Sequence, residues 1–89
     1  MNISNDKRLL ILDDSEDLLW ILKIFFEGKG YTVKSLPDAD KIYSVIDTFY
    51  PDLLLMDVLL NGNDGRDICQ KLRSNSHTKH LGILLTSAS

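Results

Sequence analysis

The sequence predicts an α/β fold in which one parallel sheet carries helices on both faces. Two short apolar runs, residues 9–12 and 53–56, are each followed directly by aspartate, as expected of buried parallel strands that end at a polar edge. Between the short runs, the apolar residues recur at helical spacing, so strands and helices alternate. Strands joined by helices require right-handed crossovers and therefore a doubly wound sheet.

Composition limits the chain to one small folded domain, residues 1–89. Apolar residues make up 44% and charged residues 26% of the sequence, which is typical of a globular domain. The net charge is −3 and the basic residues are scattered, so we expect no nucleic-acid binding by this segment. One cysteine, Cys69, excludes an internal disulfide and fits a reducing compartment. No apolar run approaches the ~20 residues of a membrane span, and we predict a cytoplasmic protein that does not bind membranes.

The first half of the chain predicts two strands and two helices. Strand 9–12 is followed by a helix that Asp14 or Ser15 caps and that ends at Gly28 and Gly30. A second strand covers 31–33. The next helix opens at Pro37-Asp38, and Pro51 prevents it from continuing. The apolar positions of the two helices are Leu18, Leu19, Ile21, Leu22, Phe25 and Phe26, then Ile42, Val45, Ile46 and Phe49.

The second half predicts two further strands around one helix. The third strand covers residues 52–56, the most apolar part of the chain. Asn61-Gly62 and Asp64-Gly65 mark a loop that leads into a helix. That helix carries Ile68, Cys69 and Leu72, and the fourth strand covers residues 83–86.

A strand order of 2-1-3-4 makes the first and third strands neighbours, so that Asp13, Asp14 and Asp57 meet at the carboxyl edge of the sheet. Ligands of open α/β sheets bind at this switch point. Three close carboxylates repel one another unless a cation holds them. Mg²⁺ takes oxygen ligands and uses one or two carboxylates together with phosphate oxygens. An aspartate beside Mg²⁺ can also attack a phosphoryl group.

These acids, with Asp64-Gly65 after the third strand and Thr86 at the end of the fourth, resemble a response-regulator receiver domain of flavodoxin-like fold. The resemblance covers the whole chain. It implies that Asp57 is the phosphoacceptor and that a histidine kinase or a phosphotransfer protein donates the phosphoryl group. The domain is then regulatory and not an enzyme, apart from self-catalysed phosphotransfer and dephosphorylation.

The resemblance also implies a Mg²⁺ site and a switch residue. Asp14 would bind Mg²⁺ directly, Asp13 largely through water, and the backbone carbonyl of Leu59 would complete the protein ligands together with Asp57. Thr86 would donate its hydroxyl to a phosphoryl oxygen and swing inward on phosphorylation.

The loop after Asp57 departs from the family pattern. Leu60-Asn61 replaces the Met-Pro pair that the family commonly carries, and Gly62 follows, so we expect a more mobile loop. Leu59 occupies a position that tunes hydrolysis of the acyl phosphate in this family, and an apolar side chain there predicts exclusion of attacking water.

The sequence stops at Ser89, where the family continues through a helix, a fifth strand and a final helix. The family's phosphate-binding lysine lies at the end of that fifth strand, so we expect impaired phosphate capture. We also expect an exposed edge strand and a partly bare sheet face, and therefore a homo-oligomer that hides them.

Each motif also has an ordinary interpretation when taken alone. Asp13-Asp14 can be a helix cap, Asp57 a turn residue, and Thr86 a common strand residue. A receiver-like interaction module that is never phosphorylated therefore stays open as an alternative. An aspartyl-phosphate phosphatase is disfavoured, because Leu59 stands where that chemistry needs a second acid.

Overall fold

A four-stranded parallel sheet forms the centre of the fold, in a computed structural model that describes residues 7–60 and 62–86. In chain order the elements are β1 (Arg8–Leu12), α1 (Glu16–Gly28), β2 (Thr32–Leu36), α2 (Ile42–Phe49), β3 (Leu53–Asp57), β4 (Leu59–Leu60), β5 (Asn63–Asp64), α3 (Gly65–Ser74) and β6 (Gly82–Thr86). The sheet order is β2-β1-β3-β6. Because β6 is the predicted fourth strand, the predicted order 2-1-3-4 is confirmed.

The pairing register aligns the carboxyl ends of the central strands. Leu12 pairs with Met56, so the chain leaves β1 at Asp13 beside the point where β3 ends at Asp57. On the other side of β3, Asp57 pairs with Thr86. The sheet thus brings the acidic pair, the lone aspartate and the threonine to one edge, as the switch-point argument predicts.

Side chains alternate between the two faces of the sheet along each strand. Both faces are buried, because helices cover each of them. One face packs against α2 and α3, and its buried residues include Leu10, Leu12, Leu54, Met56, Ile42, Val45, Ile46 and Leu72. The other face packs against α1, through Leu9, Ile11, Val33 and Leu19, with Leu53 and Leu55 partly buried. This is the two-sided burial expected of a doubly wound sheet.

The first helix begins with a side-chain cap. Ser15 has an extended conformation, and its hydroxyl oxygen accepts a hydrogen bond from the backbone N–H of Leu18 at 3.3 Å. Of the two predicted caps, Asp14 and Ser15, the structure therefore selects Ser15. That choice leaves Asp14 outside the helix, with an exposed side chain.

The second helix begins later than predicted. It starts at Ile42 rather than at Pro37-Asp38, and no side chain caps it. The carboxylate of Asp38 instead accepts a hydrogen bond from the backbone N–H of Asp40 at 3.0 Å. This local turn competes with helix formation, so residues 37–41 form bends and turns.

Strand boundaries differ from the predictions by one to three residues. β2 runs to Leu36 instead of stopping at Val33, since it pairs with β1 along its whole length. β3 begins at Leu53 rather than Asp52 and includes Asp57. Asp52 lies just before the strand, where its carboxylate accepts a hydrogen bond from the backbone N–H of Arg8 at 2.8 Å.

Polar side chains of α3 and of the following loop join the helix to β6. Arg73 donates to the carbonyl oxygens of Lys79 and Leu81. The hydroxyl of Thr78, which is 3% exposed, donates to the carbonyl of Leu72 at 2.6 Å. These bonds satisfy carbonyls near the end of α3 and at the entry to β6.

Candidate functional site

Three carboxylates meet at the carboxyl edge of the sheet. Oxygen atoms of Asp13, Asp14 and Asp57 all lie within 4.8 Å of one another, and this is the one group with metal-binding geometry in the described part of the chain. Asp13 and Asp14 follow β1, and Asp57 ends β3. The three residues that the sequence places at the site therefore lie together.

Asp13 is the most perturbed carboxyl group of the cluster. Its side chain is buried, and one oxygen accepts a hydrogen bond from the backbone N–H of Ser15 at 2.8 Å. The pKa of Asp13 is raised, first by burial and then by the negative charges of Asp57 and Asp14, while the Ser15 bond lowers it in part. Burial and like charge both disfavour the ionised form. A bound cation would relieve this penalty.

The carboxylate of Asp57 is held by a backbone N–H two residues further along the chain. The side chain is 6% exposed, and one carboxylate oxygen accepts a hydrogen bond from the backbone N–H of Leu59 at 3.0 Å. That bond orients the carboxylate in the turn after the strand. A backbone donor such as this, like the Ser15 N–H beside Asp13, cannot be recognised from residue type.

Thr86 lies beside Asp57 on the neighbouring strand β6. Its carbonyl accepts a hydrogen bond from the N–H of Val58 at 2.8 Å, and its hydroxyl makes a long contact of 3.5 Å to the carbonyl of Met56. The residue is exposed. Its hydroxyl is therefore held by one weak bond, which leaves it able to reorient toward a group on Asp57.

Leu59 begins the short antiparallel pair formed by β4 and β5. It pairs with Asp64, and its side chain is 64% exposed next to the acidic cluster. The predicted mobility of the following loop stays a prediction, and Asn61 lies outside the described residues. Asp64 caps α3 by accepting the backbone N–H of Arg66 at 2.8 Å, and an ion pair with the Arg66 side chain holds the pKa of Asp64 below its ordinary value.

Gly65 has a positional role that its residue type alone does not reveal. Its backbone N–H donates to the carbonyl of Val58 at 2.6 Å. A Cβ atom at this position would overlap with the carbonyl oxygen of Asp57 and lie 3.0 Å from Cα of Val58. Only glycine lets the start of α3 approach the backbone of Asp57 so closely.

A cavity of about 250 Å³ opens beside the acidic cluster, on the α1 side of the sheet. Its apolar wall comes from β1, α1 and β3, and its polar groups come from Asp13, Asp57 and Thr86. The lining residues are Ile11, Leu12, Asp13, Leu18, Leu22, Leu55, Asp57 and Thr86. Two of the three clustered carboxylates thus face a mostly apolar space, which strengthens electrostatic interactions with any bound ion.

The donor set of this site suits a hard divalent cation. Carboxylate oxygens converge without histidine or cysteine in the cluster, and Mg²⁺ prefers oxygen ligands of this kind. The exposed side of Asp14 and the cavity leave room for water and for a phosphate group.

In the described residues, 7–60 and 62–86, no helix combines the length and apolar character that crossing a bilayer requires.

Comparison with known proteins identifies the family. A model of the response regulator receiver domain matches residues 9–89. The chain is 34% identical over 80 residues to the protein RcaC of Microchaete diplosiphon, covering 90% of this chain and 12% of that protein. It is 33% identical over 70 residues to the DNA-binding response regulator MtrA of Mycolicibacterium smegmatis, covering 79% of this chain and 31% of that protein.

Solved structures show the same fold. A sensor protein from Polaromonas sp. JS666 superimposes with a TM-score of 0.87 at 25% identity, covering 93% of this chain and 66% of that chain. The chain therefore spans less than a third of these two curated relatives and about two thirds of the solved structure. A family model that matches nearly the entire sequence, and the acidic cluster at the expected edge of the sheet, show that this chain belongs to the response regulator receiver domain family.

Proposed function

We propose that the chain is the phosphoacceptor part of a two-component system and that Asp57 accepts the phosphoryl group. Receiver domains are regulatory phosphoacceptors, not enzymes in the usual sense. The observation that carries the proposal is the convergence of Asp13, Asp14 and Asp57 within 4.8 Å. Single aspartates at strand ends have ordinary explanations, but three in one cluster require a cation or a shared proton.

Mg²⁺ is the proposed cofactor, and it would neutralise charge on the incoming phosphoryl group. Asp13, Asp14 and Asp57 would hold it, together with the backbone carbonyl of Leu59. The raised pKa of Asp13 supports this assignment, because a group that is penalised for being charged gains from a neighbouring cation.

The proposed transfer uses the carboxylate of Asp57 as nucleophile. A carboxylate oxygen attacks the phosphorus of a phosphohistidine, the P–N bond breaks, and the imidazole nitrogen leaves with the bonding electrons and then takes a proton from water. The Leu59 N–H already orients the Asp57 carboxylate and would continue to do so during attack. Thr86 would then donate its hydroxyl to a phosphoryl oxygen.

The proposed donor is a histidine kinase or a phosphotransfer protein. Such a kinase takes its phosphoryl group from ATP, so the proposal includes a cytoplasmic location. Phosphorylation adds about 1.5 to 2 negative charges at Asp57. This charge would reposition Thr86 and its neighbours and so alter the surface offered to a downstream partner.

Phosphorylation with a small-molecule donor tests the proposal. The chain is incubated with acetyl phosphate and Mg²⁺ and its intact mass is measured, with Asp57→Asn and Asp52→Asn as matched variants. We expect one phosphoryl adduct in the wild type and in Asp52→Asn, and none in Asp57→Asn or without Mg²⁺. No adduct in the folded wild type would reject the proposal and favour the interaction module.

A further inference from the structure

The segment between Asp57 and α3 folds into a short hairpin that joins the acidic cluster to the core. β4 and β5 pair antiparallel, Leu59 with Asp64 and Leu60 with Asn63. Successive residues of a strand point to opposite faces, and the two leucines of β4 differ accordingly. Leu59 is 64% exposed, whereas Leu60 is 6% exposed. The hairpin therefore presents one leucine to solvent and buries the other.

Leu60 is the apolar anchor of this hairpin. It belongs to the core cluster on the α2 and α3 face of the sheet, together with residues of both helices and of β3. A two-stranded hairpin is marginally stable at best unless it packs on other elements, and β4 and β5 have two residues each. Leu59 is exposed, and Asn63 and Asp64 are polar. Burial of Leu60 is therefore the main apolar contribution to the pairing of β4 with β5.

The same short strand holds the Asp57 carboxylate. The N–H of Leu59 donates to a carboxylate oxygen of Asp57 at 3.0 Å, and Leu59 directly precedes the buried Leu60. On its other side, Leu59 follows Val58, whose N–H donates to β6 at 2.8 Å and whose carbonyl accepts from the first residue of α3 at 2.6 Å. Because the backbone is held on both sides of Leu59, its N–H stays directed at the carboxylate.

We propose that Leu60 is a positioning residue for phosphotransfer at Asp57, which rests on the function proposed above. Burial of the Leu60 side chain fixes β4, β4 directs the N–H of Leu59, and this N–H orients the carboxylate that attacks phosphorus. Leu60 acts through the backbone, and its own side chain takes no part in the chemistry. Misplacing a reacting group by about 1 Å can slow a reaction about a hundredfold.

Leu81 offers a matched control in the same core cluster. It is 9% exposed and belongs to the cluster that contains Leu60. However, Leu81 directly precedes β6, so it lies at the amino edge of the sheet, opposite the edge that carries Asp57. Replacement by alanine removes the same atoms from the same core at either position, but only the change at Leu60 loosens the hairpin. A purely structural role predicts equal effects of the two variants on the site.

Phosphorylation kinetics of the folded variants test the proposal. The rate of adduct formation is measured against acetyl phosphate concentration, at saturating Mg²⁺ and below the melting temperature of each variant. We expect Leu60→Ala to lower the maximal rate at least about tenfold, with little change in the acetyl phosphate concentration that gives half that rate. Leu81→Ala should keep the wild-type rate. Leu60→Met, which nearly conserves side-chain volume, should keep most of it.

Amide hydrogen exchange at Leu59 measures the positioning itself, without phosphorylation. The N–H of Leu59 should exchange slowly in the wild type and in Leu81→Ala. In Leu60→Ala it should exchange at least about tenfold faster, because local opening of the hairpin exposes it. If circular dichroism shows that Leu60→Ala does not fold, Leu60→Val and Leu81→Val replace the alanine pair, since they remove fewer atoms.

Specific results would overturn the proposal. Wild-type kinetics and slow Leu59 exchange in Leu60→Ala would reject it, and so would equal effects of the variants at Leu60 and Leu81. Slower phosphorylation with unchanged Leu59 exchange would also reject it, because Leu60 would then act by another route. If the wild type itself forms no adduct, the proposed function fails. The exchange comparison then decides alone whether Leu60 holds the N–H that orients Asp57.

Discussion

Gly65 lies directly against the backbone carbonyl of Asp57, with no room for a side chain between them. The contact joins the first residue of α3 to the last residue of β3. The Gly65 N–H also donates to the carbonyl of Val58. The backbone that carries the proposed phosphoacceptor is therefore positioned by the helix that follows it.

Replacement of Gly65 by alanine should destabilise the fold and disturb the site. The added Cβ must displace main-chain atoms, and overpacking of this kind costs about 1–3 kcal/mol in the free energy of unfolding. Urea denaturation measures this cost, and the acetyl phosphate reaction should slow in parallel. Gly28→Ala is the matched control, because a Cβ at Gly28 meets nothing within 4 Å. Equal stability of the two variants would contradict the account.

Replacement of Asp13 by asparagine should stabilise the metal-free protein at neutral pH. The folded pKa of Asp13 lies above its ordinary value of 3.8, so the folded state binds the proton more tightly than the unfolded state. The free energy of unfolding therefore falls as the pH rises from about 3.8 through the raised pKa. The uncharged asparagine side chain escapes this loss while still accepting the Ser15 N–H. The variant should therefore melt at a higher temperature than the wild type at pH 7.

The stability that Asp13→Asn gains over the wild type should shrink below pH 3.8. On addition of Mg²⁺ the wild type should become the more stable of the two. Mg²⁺ should raise the melting temperature of the wild type more than that of the variant, since binding to the folded state stabilises it. Thermal melts across pH, with and without Mg²⁺, give both comparisons. A variant that gains no stability at pH 7, or that responds to Mg²⁺ like the wild type, would contradict the proposed role of Asp13.

Replacement of Thr78 by valine should destabilise the junction between α3 and β6. Valine keeps the shape but removes the buried hydroxyl that bonds the Leu72 carbonyl. The Leu72 carbonyl keeps the backbone N–H of Asn75 at 3.3 Å, so the variant loses one buried hydrogen bond, which costs about 0.5–1.5 kcal/mol in the free energy of unfolding. Thr48→Val is the matched control, because Thr48 is exposed and its hydroxyl donates to the carbonyl of Ser44 in the same way. Chemical denaturation should show a larger loss of unfolding free energy for Thr78→Val than for Thr48→Val, and equal effects would contradict this account.

Replacement of Thr86 by valine should affect phosphorylation more than stability. The hydroxyl makes only a 3.5 Å contact in the unphosphorylated protein, so the free energy of unfolding should change by less than about 0.5 kcal/mol. Loss of a hydrogen-bond donor to the phosphoryl group should slow adduct formation about tenfold or more. Thr86→Ser should keep most of the rate. Equal rates for wild type and Thr86→Val would remove Thr86 from the site.

Much of the fold follows from the sequence because burial leaves a strong pattern. The apolar runs at 9–12 and 53–56 identify the central strands, and the acids behind them identify the carboxyl edge. Helix positions follow from apolar residues at spacings of three and four. The strand order then places Asp13, Asp14 and Asp57 together.

Details that depend on the local backbone could not be predicted. The Asp38 turn delays α2 until Ile42, and nothing in the apolar pattern distinguishes that turn from a helix start. The N–H groups that orient Asp13 and Asp57 belong to backbone positions and leave no residue signature. The close approach at Gly65 depends on a tertiary contact, although the residue itself was part of the family pattern.

Direct location of the phosphoryl group tests the central claim most sharply. Borohydride reduction of the acetyl phosphate-treated protein converts an aspartyl phosphate into homoserine, and peptide mass spectrometry identifies its position. We expect homoserine at position 57 alone, and only when Mg²⁺ is present during phosphorylation. Homoserine at position 13 or 14, or an adduct at position 57 that forms equally well without a divalent cation, would contradict it.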